Sequence, residues 1–133
     1  MDFSSVLMPA GGFAIGKTFT FEAAHRLAGV GPEHKCSRLH GHSYSVELTL
    51  VASELAEPGF VTDFGDLRPF RDFLNTEFDH RDLTEILPFE PTAEIIAQVL
   101  AGWFIQNLQP RIPGRLAAVR VGETGRNWAR LPY

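Results

Sequence analysis

One cysteine in 133 residues excludes an intramolecular disulfide framework. No stretch has the basic start, apolar core and small-residue cleavage site of a secretory signal, so a reducing cytoplasm is the expected setting. No apolar run comes near the roughly 20 residues that cross a bilayer. Positive charge is also in short supply: twelve Lys and Arg against sixteen Asp and Glu leave a net charge of −4. That balance carries no electrostatic footprint for nucleic acid or an anionic membrane, so any anionic substrate must meet a local group of cations. Internal repeats and low-complexity segments are missing too.

What remains is an apolar fraction of 44% with eleven phenylalanines, in a length that suits one packed domain. Residues 1–12 read as a loosely ordered leader ending in Pro9-Ala10-Gly11-Gly12, and residues 13–133 as the domain. A strand is predicted from about Phe13 to His25, with Phe13, Ile15, Phe19, Phe21 and Ala23 on one face and Gly16 as a possible bulge site. A second runs from about Leu39 to Ala52, with His40, His42, Tyr44, Val46, Leu48 and Leu50 on one face. The intervening Arg26–Arg38 stretch contains Gly29, Gly31 and Pro32, lacks either period, and reads as a loop. A helix is predicted near Asp66 to Phe78, with Asp66 as its N-cap, and another from the N-cap Thr92 to about Leu108. Two short strands follow, Leu116 to Glu123 and Arg126 to Leu131, the first carrying Ala117, Val119, Val121 and Glu123 on one face. The order ββααββ gives an α+β domain, a four-stranded antiparallel sheet covered on one face by two helices.

The residues suited to chemistry gather at one end of that scheme. His40 and His42 flank a glycine on an extended strand, so their rings share a face. If the first two strands pair as a hairpin, His25 joins them. Three imidazoles are a common catalytic zinc set, with the fourth position left for a reactant. A closed structural site with Cys36 as fourth ligand is the alternative. Cys36 lies between Lys35 and Arg38, and positive charge beside a sulfur suits a base or nucleophile. Asp79 precedes His80, an arrangement that orients an imidazole for proton transfer or is merely a surface pair. Glu123, in line with apolar neighbours, could accept two parallel donors such as the amino-pyrimidinone edge of a pterin or guanine.

These segments resemble the 6-pyruvoyl-tetrahydropterin synthase family. The resemblance rests on Phe21-Glu22-Ala23-Ala24-His25-Arg26-Leu27, Cys36-Ser37-Arg38-Leu39-His40-Gly41-His42, Val61-Thr62-Asp63-Phe64, Phe78-Asp79-His80, Pro91-Thr92-Ala93-Glu94 and Val121-Gly122-Glu123-Thr124. The Cys-x-x-x-His-Gly-His spacing is similar to the queuosine-pathway branch. The resemblance implies a tunnelling fold, in which three subunits join their sheets into a β-barrel and two barrels stack as a dimer of trimers, with active sites between subunits. It implies Zn2+ on His25, His40 and His42, Cys36 as general base, Asp79 and His80 as a proton relay, and Glu123 as pterin anchor aided by Thr92. The implied reaction takes 7,8-dihydroneopterin triphosphate to a 6-carboxy-tetrahydropterin with loss of acetaldehyde and triphosphate; simple triphosphate elimination and a non-catalytic zinc or pterin module are the alternatives. Lys17, Arg26, Lys35 and Arg38 are unassigned candidates for the triphosphate. The family often has Asn where this chain has Ile95 and often another near Thr84, departures that bear on loop detail and specificity.

Overall fold

The computed structural model describes residues 2–4 and 11–133; the leader expected over residues 1–12 lies, at positions 1 and 5–10, outside the described residues. Strands β1 (Phe13–His25) and β2 (His40–Ala52) form an antiparallel hairpin in unbroken register, from Phe13 opposite Ala52 to His25 opposite His40. After a 3-10 turn at Phe64–Leu67 come α1 (Arg68–Glu77), the two-residue strand β3 (Arg81–Asp82) and the single turn α2 (Leu83–Ile86). Helix α3 (Ala93–Asn107) and strands β4 (Arg115–Glu123) and β5 (Asn127–Pro132) complete the chain. The sheet order is β3-β1-β2-β4-β5. Among the described residues no helix is long and apolar enough to cross a membrane.

The α+β class is as expected, with differences of detail. The sheet gains a fifth strand, β3, parallel to β1 through Ala23 opposite Arg81 and Ala24 opposite Asp82. Two residues make too short a pattern for periodicity to reveal. The helix expected from Asp66 begins as a 3-10 turn capped by Asp63, whose side chain accepts from Gly65 N–H at 2.9 Å, so Asp66 lies inside the first turn instead of capping it. Thr92 caps α3 as expected, its hydroxyl accepting from Ile95 N–H at 3.1 Å.

Gly16 is regular and sits opposite Thr49; the bulge falls in β4. There Thr49 faces Ala118 and Leu50 faces Leu116, which leaves Ala117 as the extra residue. The bulge reverses the parity of the strand, so Leu116 joins Val119 and Val121 in the core where Ala117 was expected. The bulged carbonyl is taken by Tyr133 N–H at 2.7 Å.

One face of the sheet meets the helices. Phe19 meets Phe70 edge-on with ring centres 5.1 Å apart, Phe21 stacks on Tyr44 at 4.8 Å, and Phe70, Phe104, Leu100 and Ile96 are fully buried. Burying a side chain of this size contributes about 1.5–3 kcal/mol, so this layer fixes the strands that carry the functional groups. Followed toward the Arg26–Arg38 loop, the same face passes from Phe21 and Tyr44 to His25, His40 and His42.

Candidate metal centre and adjoining cavities

The unbroken hairpin register places His25 and His40 on one rung and His42 on the next but one, all on the core face. His25 is buried, the other two partly so, and their ligating nitrogens lie within 4.8 Å of one another. Nε2 of His25 and Nε2 of His42 are 3.1 Å apart. Two nitrogens at usual zinc distances on a tetrahedral ion stand roughly 3.3 Å apart, so the His25–His42 pair matches such an ion, with His40 beside it.

The remaining ring nitrogens support this fit. Nδ1 of His25 is 2.7 Å from the Pro91 carbonyl oxygen, and Nδ1 of His40 is 2.6 Å from that of Arg38. A carbonyl only accepts, so both Nδ1 atoms carry the proton and both Nε2 atoms present a lone pair. Nδ1 of His42 meets the Thr124 hydroxyl at 3.0 Å. Burial holds the His42 pKa below the ordinary imidazole value, the neighbouring His25 and His40 rings add to this, and the Glu123 carboxylate pulls the other way. The neutral ring is the form that ligates a metal.

Glu123 ends β4 opposite Tyr44, its Oε2 3.7 Å from His42 Nε2. With Cys36, Thr92, Glu94 and His25 it lines a cavity of about 370 Å3. A second cavity, of about 590 Å3, is lined by Glu22, His42, Ser43, His80, Asp82 and Thr124. Asp79 and His80 form a bonded pair, Oδ2 to Nδ1 at 2.9 Å, and Asp79 Oδ1 accepts from Glu22 N–H at 2.8 Å. That backbone donor, followed by the His80 ring, holds the Asp79 pKa below the ordinary carboxylate value. Cys36 and His80 thus open on different cavities of one chain. None of Lys17, Arg26, Lys35 and Arg38 lines either cavity, and Lys17 donates to the Phe64 carbonyl at 3.4 Å.

The loop that carries Cys36 is tied down at several points. Leu27 N–H donates to the Cys36 carbonyl at 2.7 Å, and His34 Nδ1 accepts from Cys36 N–H at 3.0 Å. Glu90 accepts from Ala28 N–H at 2.5 Å and from Gly29 N–H at 3.0 Å. Thr84 Oγ1 accepts from Arg26 N–H at 2.9 Å. Glu90 escaped the sequence reading as a site residue, because an acceptor for a distant backbone N–H leaves no spacing pattern; Ser43 and Tyr44 were read only as positions on β2. Thr124 and Glu22 stood inside the quoted segments but without a role. The Tyr44 hydroxyl is buried with no hydrogen-bond partner among the described residues; burial, then the nearby Glu123 carboxylate, pushes its pKa above the ordinary tyrosine value.

A sheet of this topology, with helices on one face and, in this chain, three imidazoles at the loop end of its first hairpin, belongs to a fold class with solved members. The 6-pyruvoyl tetrahydropterin synthase of Caenorhabditis elegans has the same fold, with a TM-score of 0.79 at 22% identity over 96% of this chain and 99% of that one. Residues 14–132 match the family model for 6-pyruvoyl tetrahydropterin synthase, and the chain belongs to that family. Within it, the chain is 38% identical over 125 residues to the 6-carboxy-5,6,7,8-tetrahydropterin synthase of Synechocystis, covering 87% of this chain and 90% of that protein. It is also 32% identical over 102 residues to the dihydroneopterin monophosphate aldolase of Pyrococcus furiosus, covering 77% of this chain and 80% of that protein.

Proposed function

We propose that the chain is a zinc-dependent carbon–carbon lyase of queuosine biosynthesis, acting in the cytoplasm. It converts 7,8-dihydroneopterin triphosphate and water to 6-carboxy-5,6,7,8-tetrahydropterin, acetaldehyde and triphosphate. The observation that carries this reading is the meeting, around one cavity, of Cys36, Glu123 and Thr92 with His25 of the three-imidazole cluster. The similarity to the Synechocystis protein supports the choice of product.

His25, His40 and His42 would hold Zn2+, which when bound supplies Lewis acidity toward side-chain oxygens of the substrate. Glu123 accepts the two N–H donors of the pterin's amino-pyrimidinone edge, and Thr92, at the start of α3, lines the same cavity. Cys36 takes a proton from the substrate side chain as general base. Asp79 orients His80, which passes protons to and from the reacting carbons. Because Cys36 and His80 open on different cavities of one chain, the reading has them meet across a subunit boundary, in a dimer of trimers whose sheets close into barrels.

Product analysis by mass spectrometry tests the reading. With zinc and 7,8-dihydroneopterin triphosphate, the expected result is a 6-carboxy product and one acetaldehyde per turnover. A 6-pyruvoyl product without acetaldehyde reassigns the chain to triphosphate elimination. The similarity to the P. furiosus protein favours one further reading, an aldolase; turnover of the monophosphate alone would establish it. Zinc binding with no turnover of either leaves a binding module.

A further inference from the structure

Thr124 has a φ of 47°, in the left-handed region that a β-branched residue rarely enters. Glycine meets no such penalty there, and Gly125 next in the chain adopts a φ of 87°. Of the methyl and hydroxyl that threonine carries and glycine lacks, the hydroxyl lies 3.0 Å from Nδ1 of His42. The backbone places it: Thr124 N–H donates to the Ser43 carbonyl at 3.0 Å, and Arg126 N–H donates to the Thr124 carbonyl at 3.1 Å. The turn is therefore docked on the residue that follows His42.

His42 differs from the other two imidazoles in what holds it. The carbonyls of Pro91 and Arg38 can only accept, so they dictate the proton positions on His25 and His40 without help. A hydroxyl can donate or accept. Ligation through His42 Nε2 requires it to accept. From this we infer that Thr124 is a positioning residue for His42: its hydroxyl accepts the Nδ1 proton and so fixes the tautomer and ring orientation that aim Nε2 at the ion shared with His25 and His40. This inference rests on the metal reading of the three histidines proposed above.

The test compares Thr124→Val, Thr124→Ser and Thr124→Gly in the full chain. Zinc affinity is measured by competition with a chromophoric chelator, and the His42 side-chain nitrogens are followed by NMR in the zinc-loaded protein. Loss of a hydrogen-bond partner to a ligating histidine typically weakens metal binding about 10- to 100-fold. Val and Gly are expected to show that loss, with the Nδ1 proton of His42 exchanging faster, whereas Ser stays within about threefold of the unsubstituted chain. Glycine removes the hydroxyl while relaxing the backbone, so it keeps the test decisive if valine folds poorly. Zinc affinity within about threefold of the unsubstituted chain in the glycine variant, or a serine variant as weak as the glycine one, overturns the inference. An unsubstituted chain that binds zinc but forms no 6-carboxy product sinks the lyase reading and leaves the role of Thr124 standing. One that binds no zinc overturns both.

Discussion

The carbonyl oxygen of Pro91 stands 2.7 Å from Nδ1 of His25, a contact between residues 66 apart in sequence that decides which ring nitrogen faces the cluster. The ring is buried, so no water can substitute for that acceptor without rearrangement. A backbone atom just ahead of the α3 cap thereby sets the chemistry of a side chain at the end of β1.

Cys36→Ala tests the role given to the sulfur. The three imidazoles and their oxygen partners do not involve it, so the variant is expected to retain zinc at one ion per chain. Removal of a general base should lower turnover by about 10²- to 10⁴-fold. Metal content and acetaldehyde release measure the two separately. Simultaneous loss of zinc would reassign Cys36 as a fourth ligand.

Glu123→Gln keeps the size of the side chain and removes its charge. Charge-assisted pairs are roughly twice as strong as neutral ones, so pterin affinity is expected to fall about 10- to 100-fold while zinc affinity changes by less than about threefold. Calorimetry on the zinc-loaded protein reads the first and chelator competition the second. Equal losses in both would remove the anchor role.

Tyr44→Phe should stabilise the fold, since it deletes a buried hydroxyl that has no partner among the described residues. The gain is expected to be about 1 kcal/mol at neutral pH, read by chemical denaturation. A pH dependence goes with it. Burial raises the phenol pKa in the folded chain, so the stabilising contribution of the neutral form is complete below the ordinary tyrosine value near 10 and is lost as pH rises toward the folded value. The phenylalanine variant should lose stability less steeply between about pH 10 and 11. Parallel alkaline limbs would contradict the assignment.

Asp79→Asn moves the opposite limb. The Asp79 pKa is lowered by Glu22 N–H and His80, so the carboxylate's contribution is present above its ordinary pKa near 3.9 and is lost as pH falls through the folded value. The asparagine variant should show a flatter acid limb below about pH 4. As the partner that orients His80, its loss should also reduce turnover about 10²-fold. An acid limb identical to that of the unsubstituted chain would show that the short contacts of Asp79 do not persist in solution.

The sequence made the three-histidine cluster legible because two regular strands obey a period of two: once the hairpin is paired, parity alone puts His25, His40 and His42 on one face. Thr92 was legible as a cap for a similar local reason. Other features depend on distance or on irregularity. The extra residue at Ala117 breaks the period within β4, so the expected face there was displaced by one position. β3 is defined by its pairing with Ala23 and Ala24 on the edge of β1, far away in sequence. The hold of Glu90 on Ala28 and Gly29 joins a side chain to backbone donors about sixty residues away, and backbone donors look alike at every position. The division of Cys36 and His80 between two cavities is likewise a property of packing, on which spacing is silent.

Glu90, Pro91 and Thr92 each answer to a different neighbour: the first grips the Cys36 loop, the second orients His25, and the third caps α3. Only two of these duties depend on the side chain, because Pro91 acts through its carbonyl. Two of the three positions are therefore constrained in identity and all three in spacing. A single-residue insertion or deletion there would shift three attachments out of phase at once.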